Sequence, residues 1–380
     1  MTAWSKQPFK ALYGVFFIVK LIGLIPLSLL RYSPKWSRPV PGWSLKICVV
    51  NVVARELFRY YTQTRSNGVA GVESGHRRAK ERFALVEPAD ASLYSGVLAS
   101  GTSKPAAVGG LWFPSPIPQS EREGEAAPSL RDEKVVLHFA GGAFVLAFGT
   151  EENGQDISNI MTRHLKATRT FLAQYRVSSD SQTRFPSAIQ DLVTSYHYIL
   201  SLGIPPANII LSGDSAAGNL ILALLRHLSS NPSPHLPPPG GAMLWSPWVH
   251  VTPTAGADYT QCRNSAHDLL IPSLLQWGAD AYLPEPGKTP PSDVLPFISP
   301  LHHAFATTVP LFVHAGGGEA FFDQVNEFTV EMERVQGNRV RFCSTETAPH
   351  NLLLAYRGLG LEGEMEVAAE SARKFFEGED

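Results

Sequence analysis

An α/β fold, with a mainly parallel sheet and helices on both faces, is what this sequence of 380 residues predicts, on three observations. From residue 134 onward, short apolar runs alternate with helical stretches, the pattern of strands joined by helical crossovers. Hydrophobic types make up 44% and charged types 17% of the chain, against roughly 25% charged in ordinary soluble domains. Disorder is therefore excluded, and a chain of this length is expected to bury a large core. The third observation is a strand that runs through a turn of tiny residues directly into an apolar helix, between Asn208 and Leu225. The net charge of −2 offers none of the basic surface that a polyanion demands, so nucleic acid is not an expected partner. Cys48, Cys262 and Cys343 are far apart and lack ligand spacing, which argues against a disulfide framework, and neither a metal nor a cofactor is expected.

Taken in order, the elements begin with the most apolar stretch, Ala11 to Leu30, broken only by Lys20 among the charged types. At about 1.5 Å rise per residue it just spans a hydrocarbon core of about 30 Å. Lys20 costs roughly 2.5 to 3.5 kcal/mol at mid-depth, which the many Leu, Ile, Val and Phe residues offset at about 0.3 to 0.6 kcal/mol each. A membrane anchor is expected, either a single pass or an interfacial helix; the competing reading is a greasy helix packed on the rest of the protein. Lys6 and Lys10 precede the run, whereas Arg31, Lys35, Arg38 and Lys46 follow it, and this bias puts the bulk of the chain on the cytosolic side. The absence of a usable Asn-x-Ser/Thr sequon, Asn231 being followed by Pro232, agrees with that side. From Trp43 to Tyr61 the apolar positions Leu45, Cys48, Val49, Val52, Val53 and Leu57 recur at helical spacing, so an amphipathic helix is expected. A polar stretch covers 63–80. Strands are expected at 82–87 and 95–98, a surface loop at 114–133, and further strands at 134–139, 208–212, 241–245, 309–315 and 339–343. The division that follows is a hydrophobic anchor at 1–40, a helical segment at 41–80 and the main domain at 81–380.

Chemistry concentrates around Gly213-Asp214-Ser215-Ala216-Ala217-Gly218. A serine on a sharp strand-to-helix turn needs small neighbours so that the backbone can bend and a substrate approach, and the helix behind it aims free N–H groups at the site. Ser215 is therefore the candidate nucleophile and the N–H of Ala216 a candidate oxyanion donor. Ala217 stands where the G-x-S-x-G pattern has its last glycine. The bland alternative is an ordinary capped turn. Some seventy residues upstream, His138-Phe-Ala140-Gly141-Gly142-Ala143-Phe144 leaves a strand through a glycine-rich bend whose N–H groups can converge on an anion. It lacks the lysine and glycine spacing of a nucleotide loop.

The order of Phe-Ala-Gly-Gly-Ala-Phe, Gly-Asp-Ser-Ala-Ala-Gly-Asn-Leu, Leu-Trp-Ser-Pro-Trp and Gly-Gly-Gly-Glu-Ala-Phe-Phe-Asp resembles the hormone-sensitive-lipase-like branch of the α/β-hydrolases over residues 80–375. The resemblance implies an α/β-hydrolase fold with an N-terminal helical cap, which the 43–61 helix resembles. The long apolar leader is similar to that of filamentous-fungal members, many of which act in natural-product pathways. Aligning the family's His-Gly-Gly-Gly-Phe on Phe144 puts Ala140 in place of its histidine. The family's oxyanion donors then carry over to Gly142 and Ala143, with Gly141 beside them and Ala216 opposite, while the loop lacks the histidine that would support it.

Chain order for this fold is serine, acid, histidine. After the strand ending at Ala315 come Glu319, which fits the family's catalytic-acid position, and Asp323, which matches a supporting acidic position and is its rival. His350 follows the last strand, where the base belongs; His302, His303 and His314 are expected to pack or hydrogen-bond elsewhere. The triad Ser215, Glu319 and His350 implies cleavage of a carboxylic ester, or removal of an acyl or acetyl group, from a hydrophobic small molecule by an acyl-enzyme route. Two other readings use the same fold. An acyltransferase or carbon–carbon-bond-forming enzyme would keep the serine and exclude water. A non-catalytic receptor, as in the plant gibberellin receptors that resemble this family, would have lost the histidine that is present here.

Overall fold

The computed structural model describes residues 3–66, 81–99, 102–117 and 130–379. The expected 63–80 and 114–133 segments lie largely outside them. Eight strands form one sheet: β1 (Phe83–Val86), β2 (Val108–Phe113), β3 (Val135–Phe139), β4 (Arg169–Ala173), β5 (Ile209–Asp214), β6 (Gly241–Trp245), β7 (Leu311–Gly316) and β8 (Val340–Thr345). Their order is β1-β2-β4-β3-β5-β6-β7-β8. The first two pairings are antiparallel and the rest parallel.

Parallel strands need crossovers, and helices supply them. In chain order the helices are α1 (Phe9–Tyr32), α2 (Leu45–Thr64), α3 (Glu151–Leu165), α4 (Ser187–Ser201), α5 (Ala216–Ser230), α6 (Ala255–Gln261), α7 (Pro272–Tyr282), α8 (Leu295–Ile298), α9 (Phe322–Glu333), α10 (Leu352–Leu359) and α11 (Glu362–Glu377). The period-2 alternation of a strand divides the core. Val136, Ile210, Met243 and Phe312 face α3 and α11, whereas Leu137, Leu211, Leu244 and Val313 face the layer containing α4, α5 and α9. Both sets are buried, which is why these strands read as unbroken apolar runs.

The structure corrects the expected strand at 95–98. That segment is a single 3₁₀ turn, Gly96–Leu98, because Gly96 sits at φ +59°, outside extended backbone. The partner of β1 is instead β2, a strand not expected from the sequence, which holds Gly109 and Gly110. Those glycines serve packing: a Cβ on Gly110 would lie 2.2 Å from the Phe171 ring. Strand β4 also escaped the sequence reading. The amphipathic helix forms as α2, capped by Ser44, whose side chain accepts from the Ile47 N–H.

Candidate active site

The carboxyl ends of β5, β7 and β8, with the loops that follow them, bring the serine, the carboxylate and the histidine together, as expected where parallel strands end. Strand β5 runs into Ser215, which holds φ +52° and ψ −119°, a conformation a side chain rarely adopts. Its N–H donates to the Trp245 carbonyl at 2.9 Å, and its own carbonyl accepts from the Trp248 N–H at 3.0 Å. Strand β6 and the loop after it thus hold the turn at both its N–H and its carbonyl.

Ser215 Oγ lies 2.9 Å from His350 Nε2, and His350 Nδ1 lies 3.0 Å from Glu319 Oε2. A carboxylate only accepts, so Nδ1 carries the proton, Nε2 presents its lone pair, and the serine O–H donates to it. All three residues are buried. Burial alone would lower the His350 imidazole, but the hydrogen bond and charge of Glu319, joined by the charges of Asp268 and Asp214, raise it above its ordinary 6.5. Burial raises the Glu319 carboxyl, and the His350 bond works against that rise. Asp323, four residues on, is elsewhere: it points to solvent and pairs with Arg263 at 3.1 Å.

The glycine-rich bend also reaches this site. Gly142, Ala143 and Phe144 take successive positive φ values of 143°, 50° and 64°, folding the chain back over the serine turn. Gly141 must be a glycine, since a Cβ there would stand 2.5 Å from Asp214 Oδ2 and 3.0 Å from the Ser215 Cβ. Its N–H donates to Asp214 Oδ2 at 3.0 Å, so Gly141 lines the pocket without a free donor. Gly142 and Ala143 have no acceptor within the protein among the described residues. Ala216 is the first residue of α5, whose N–H has no intrahelical partner. Tyr175 holds the start of this loop: its O–H donates to the Ala140 carbonyl at 3.0 Å. Burial raises the Tyr175 phenol and keeps it a donor. His138, two positions before Ala140, lies beneath the loop in contact with Ser212 at 3.0 Å.

Two carboxylates that the sequence reading did not single out bind the loops together. Asp268 Oδ1 accepts from the His350 N–H at 3.0 Å, and its Oδ2 from the Ala320 N–H at 3.1 Å. It joins the histidine loop to the loop that carries Glu319. Asp214 Oδ2 accepts from Asn351 Nδ2 at 2.6 Å as well as from Gly141, tying the glycine bend to the histidine loop. Asp214 lies inside the quoted Gly-Asp-Ser motif, whereas nothing around Asp268 marks it. The three other histidines weighed in the sequence are engaged elsewhere: His314 with Thr345 at 2.9 Å, its pKa lowered by burial to about 3, His303 with the Ser299 carbonyl at 2.9 Å, and His302 with Glu331 at 2.8 Å.

Above the serine lies a cavity of about 250 Å³. Val50, Ala54, Leu57 and Phe58 of α2, Leu269, Leu270 and Leu274, and Leu354 of α10 make its wall apolar. Arg55 anchors α2 there by donating to the carbonyls of Ser265, Asp268 and Leu270.

Comparison with known proteins agrees with this architecture. The chain is 30% identical over 196 residues to an acetyl-hydrolase of Streptomyces hygroscopicus, covering 52% of this chain and 60% of that protein. It is 29% identical over 202 residues to an esterase of Acinetobacter venetianus, covering 53% and 62%. It thus spans less than two thirds of the length of these curated relatives. Among solved structures, an esterase from the bacterial hormone-sensitive lipase (HSL) family aligns with a TM-score of 0.56 at 20% identity, covering 94% of this chain and 98% of that one. An esterase of Pyrobaculum calidifontis gives 0.58 at 16% identity, covering 87% and 94%. At such identities the likeness is one of fold. Residues 136–354, more than half of the chain, match a family described by its alpha/beta hydrolase fold, and the chain belongs to that family.

Proposed function

We propose that the protein is a hormone-sensitive-lipase-like serine hydrolase that cleaves a carboxylic ester, or removes an acyl or acetyl group, from a hydrophobic small molecule. The observation that carries this reading is the run of contacts from Ser215 through His350 to Glu319, set on a turn with positive φ. In the proposed cycle Ser215 Oγ attacks the ester carbonyl while His350 Nε2 takes its proton, with Glu319 stabilising the imidazolium. The developing oxyanion accepts from the N–H groups of Gly142, Ala143 and Ala216. His350 then protonates the departing alkoxide, leaving an acyl-enzyme. Water, deprotonated by His350, attacks that acyl carbon and releases the carboxylic acid, and the proton returns to Ser215.

The apolar cavity supports a hydrophobic substrate, and the esterase and acetyl-hydrolase relatives support the reaction class. The contribution of α2 to the cavity wall supports reading 41–80 as a cap on the catalytic domain 81–380. The long apolar α1 supports residues 1–40 as a membrane anchor, and the leader's resemblance to filamentous-fungal members supports a natural-product setting. A fluorophosphonate probe tests the reading: it should label the purified protein, and Ser215→Ala should abolish both labelling and hydrolysis across an acyl-ester panel, a loss of about 10⁴-fold or more. Retained turnover in that variant would move the chemistry to another residue.

A further inference from the structure

Helix α1 combines two faces that belong to different solvents. Tyr13, Gly14, Phe17, Lys20, Leu21, Leu24, Ile25 and Ser28 follow helical spacing, and each is at least half-buried. Along this face Phe17 meets the Tyr60 ring at 5.0 Å between centroids, and Lys20 pairs with the buried Glu56 of α2 at 2.5 Å. The opposite face holds no charged side chain from Ala11 to Leu30; Val15, Val19, Ile22 and Leu30 are 62%, 62%, 69% and 74% exposed. A helix on the surface of a water-soluble domain turns its polar face outward; this one turns an apolar face outward and keeps its mid-helix lysine against protein.

We propose that α1 lies along one leaflet of a phospholipid membrane while docked on α2, rather than crossing the bilayer. This deepens the anchor reading above and rests on it. Tyr13 and Phe17 touch Tyr60, and Lys20 touches Glu56, so the two helices run antiparallel side by side. A docked α1 set across the bilayer would carry α2 into hydrocarbon with it. Yet α2 bears Arg55, Glu56 and Arg59 and is fixed to the catalytic domain through Arg55 and through Asn51, which donates to the His267 carbonyl at 3.3 Å. Crossing would require α1 to leave α2, stripping Lys20 of its partner at mid-depth. Lipid fits the outer face better than a second protein chain does. Lys6 and Lys10 at one end and Arg31 and Lys35 at the other suit anionic headgroups, and Trp4 and the exposed Trp36 stand near the two ends, where aromatic residues favour the membrane interface. Because α2 also lines the cavity, the leaflet would sit about one helix diameter, roughly 10 Å, from the cavity wall.

Sealed microsomes from cells expressing the full chain test the orientation. Lys6→Cys and Lys35→Cys, each compared with the parent protein for background from its own thiols, should react equally with a membrane-impermeant maleimide before detergent is added. Protection of the Lys6→Cys thiol until detergent is present would mean a crossing helix and overturn the proposal. A Val15→Asp/Ile22→Asp double variant should leave the membrane fraction while hydrolysing a water-soluble ester as the parent does; a variant that still sediments with membranes overturns it. So does a parent chain that stays soluble as a dimer held through α1. Loss of hydrolysis in the parent with equal labelling at both positions would count against the esterase reading alone.

Discussion

The carboxyl ends of β5 to β8 and the outer face of α1 depart in opposite directions from the usual placement of polar and apolar groups. At the strand ends Asp214, Ser215, Asp268, Glu319 and His350 are all buried, and each has a hydrogen-bond partner. On α1 large apolar side chains stand in the open. Buried polar groups and exposed apolar patches are the informative exceptions to ordinary burial. The comparison teaches that the two regions serve separable purposes. The first holds the candidate catalytic groups in register at the expense of desolvation, which their hydrogen-bond partners offset. The second forgoes desolvation and leaves its surface to be covered by something else. Substitutions at the strand ends should therefore change rate, and substitutions on α1 should leave rate alone.

The largest separation after Ser215 itself is expected between two neighbouring carboxylates. Glu319→Gln should cut turnover on the order of 10⁴-fold, by analogy with the orienting carboxylate of serine proteases. Asp323→Asn, which disturbs only a solvent-exposed pair with Arg263, should cost less than about 1 kcal/mol of stability and little rate. Turnover and melting temperature of both variants decide the matter; an Asp323→Asn variant that folds normally yet loses turnover by orders of magnitude would reassign the acid.

Asp268→Asn should come next. The amide retains one oxygen for either the His350 or the Ala320 N–H but not for both, so the two loops lose their common tie. Small misplacements of reacting groups cost about 100-fold, and a fall in kcat/KM of roughly 10- to 100-fold is expected. Unchanged kinetics would mean that the loops are held without it.

The pH profile gives a smaller and graded effect. His350 must be neutral to accept the serine proton, and its pKa is raised in the folded protein. Activity is therefore present above that value and lost as pH falls through it, about tenfold per unit. The acidic limb of kcat/KM for the free enzyme should have its midpoint above 6.5, the ordinary imidazole value; a midpoint below it would mean that burial outweighs Glu319. The smallest effect belongs to α1: Lys20→Met should lower stability by less than about 1 kcal/mol, since Glu56 keeps Arg59 as a partner, and leave turnover unchanged. A matching loss of turnover would couple the two regions and break the contrast between them.

Sequence by itself located the parallel strands β3 and β5 to β8 along the chain and the serine turn between β5 and its helix, because these are written in contiguous residues: an apolar run, a turn of tiny side chains, another apolar run. Hydrophobic periodicity also located α2 and the apolar leader. Only the tertiary structure decided the rest. Glu319 and Asp323 are four residues apart on one loop and helix start, and both carry a carboxylate, yet one faces His350 and the other solvent. Asp268 is 82 positions before His350 and 52 before Ala320, so no local pattern announces it. Strand β2 hides behind two glycines whose use is to admit aromatic rings from neighbouring strands, and the partner of Lys20 lies 36 positions away on α2. Local conformation follows from short-range sterics and periodicity, which a sequence displays. The choice of partner for a charged or hydrogen-bonding group is made through space by packing, after the chain has brought distant segments together.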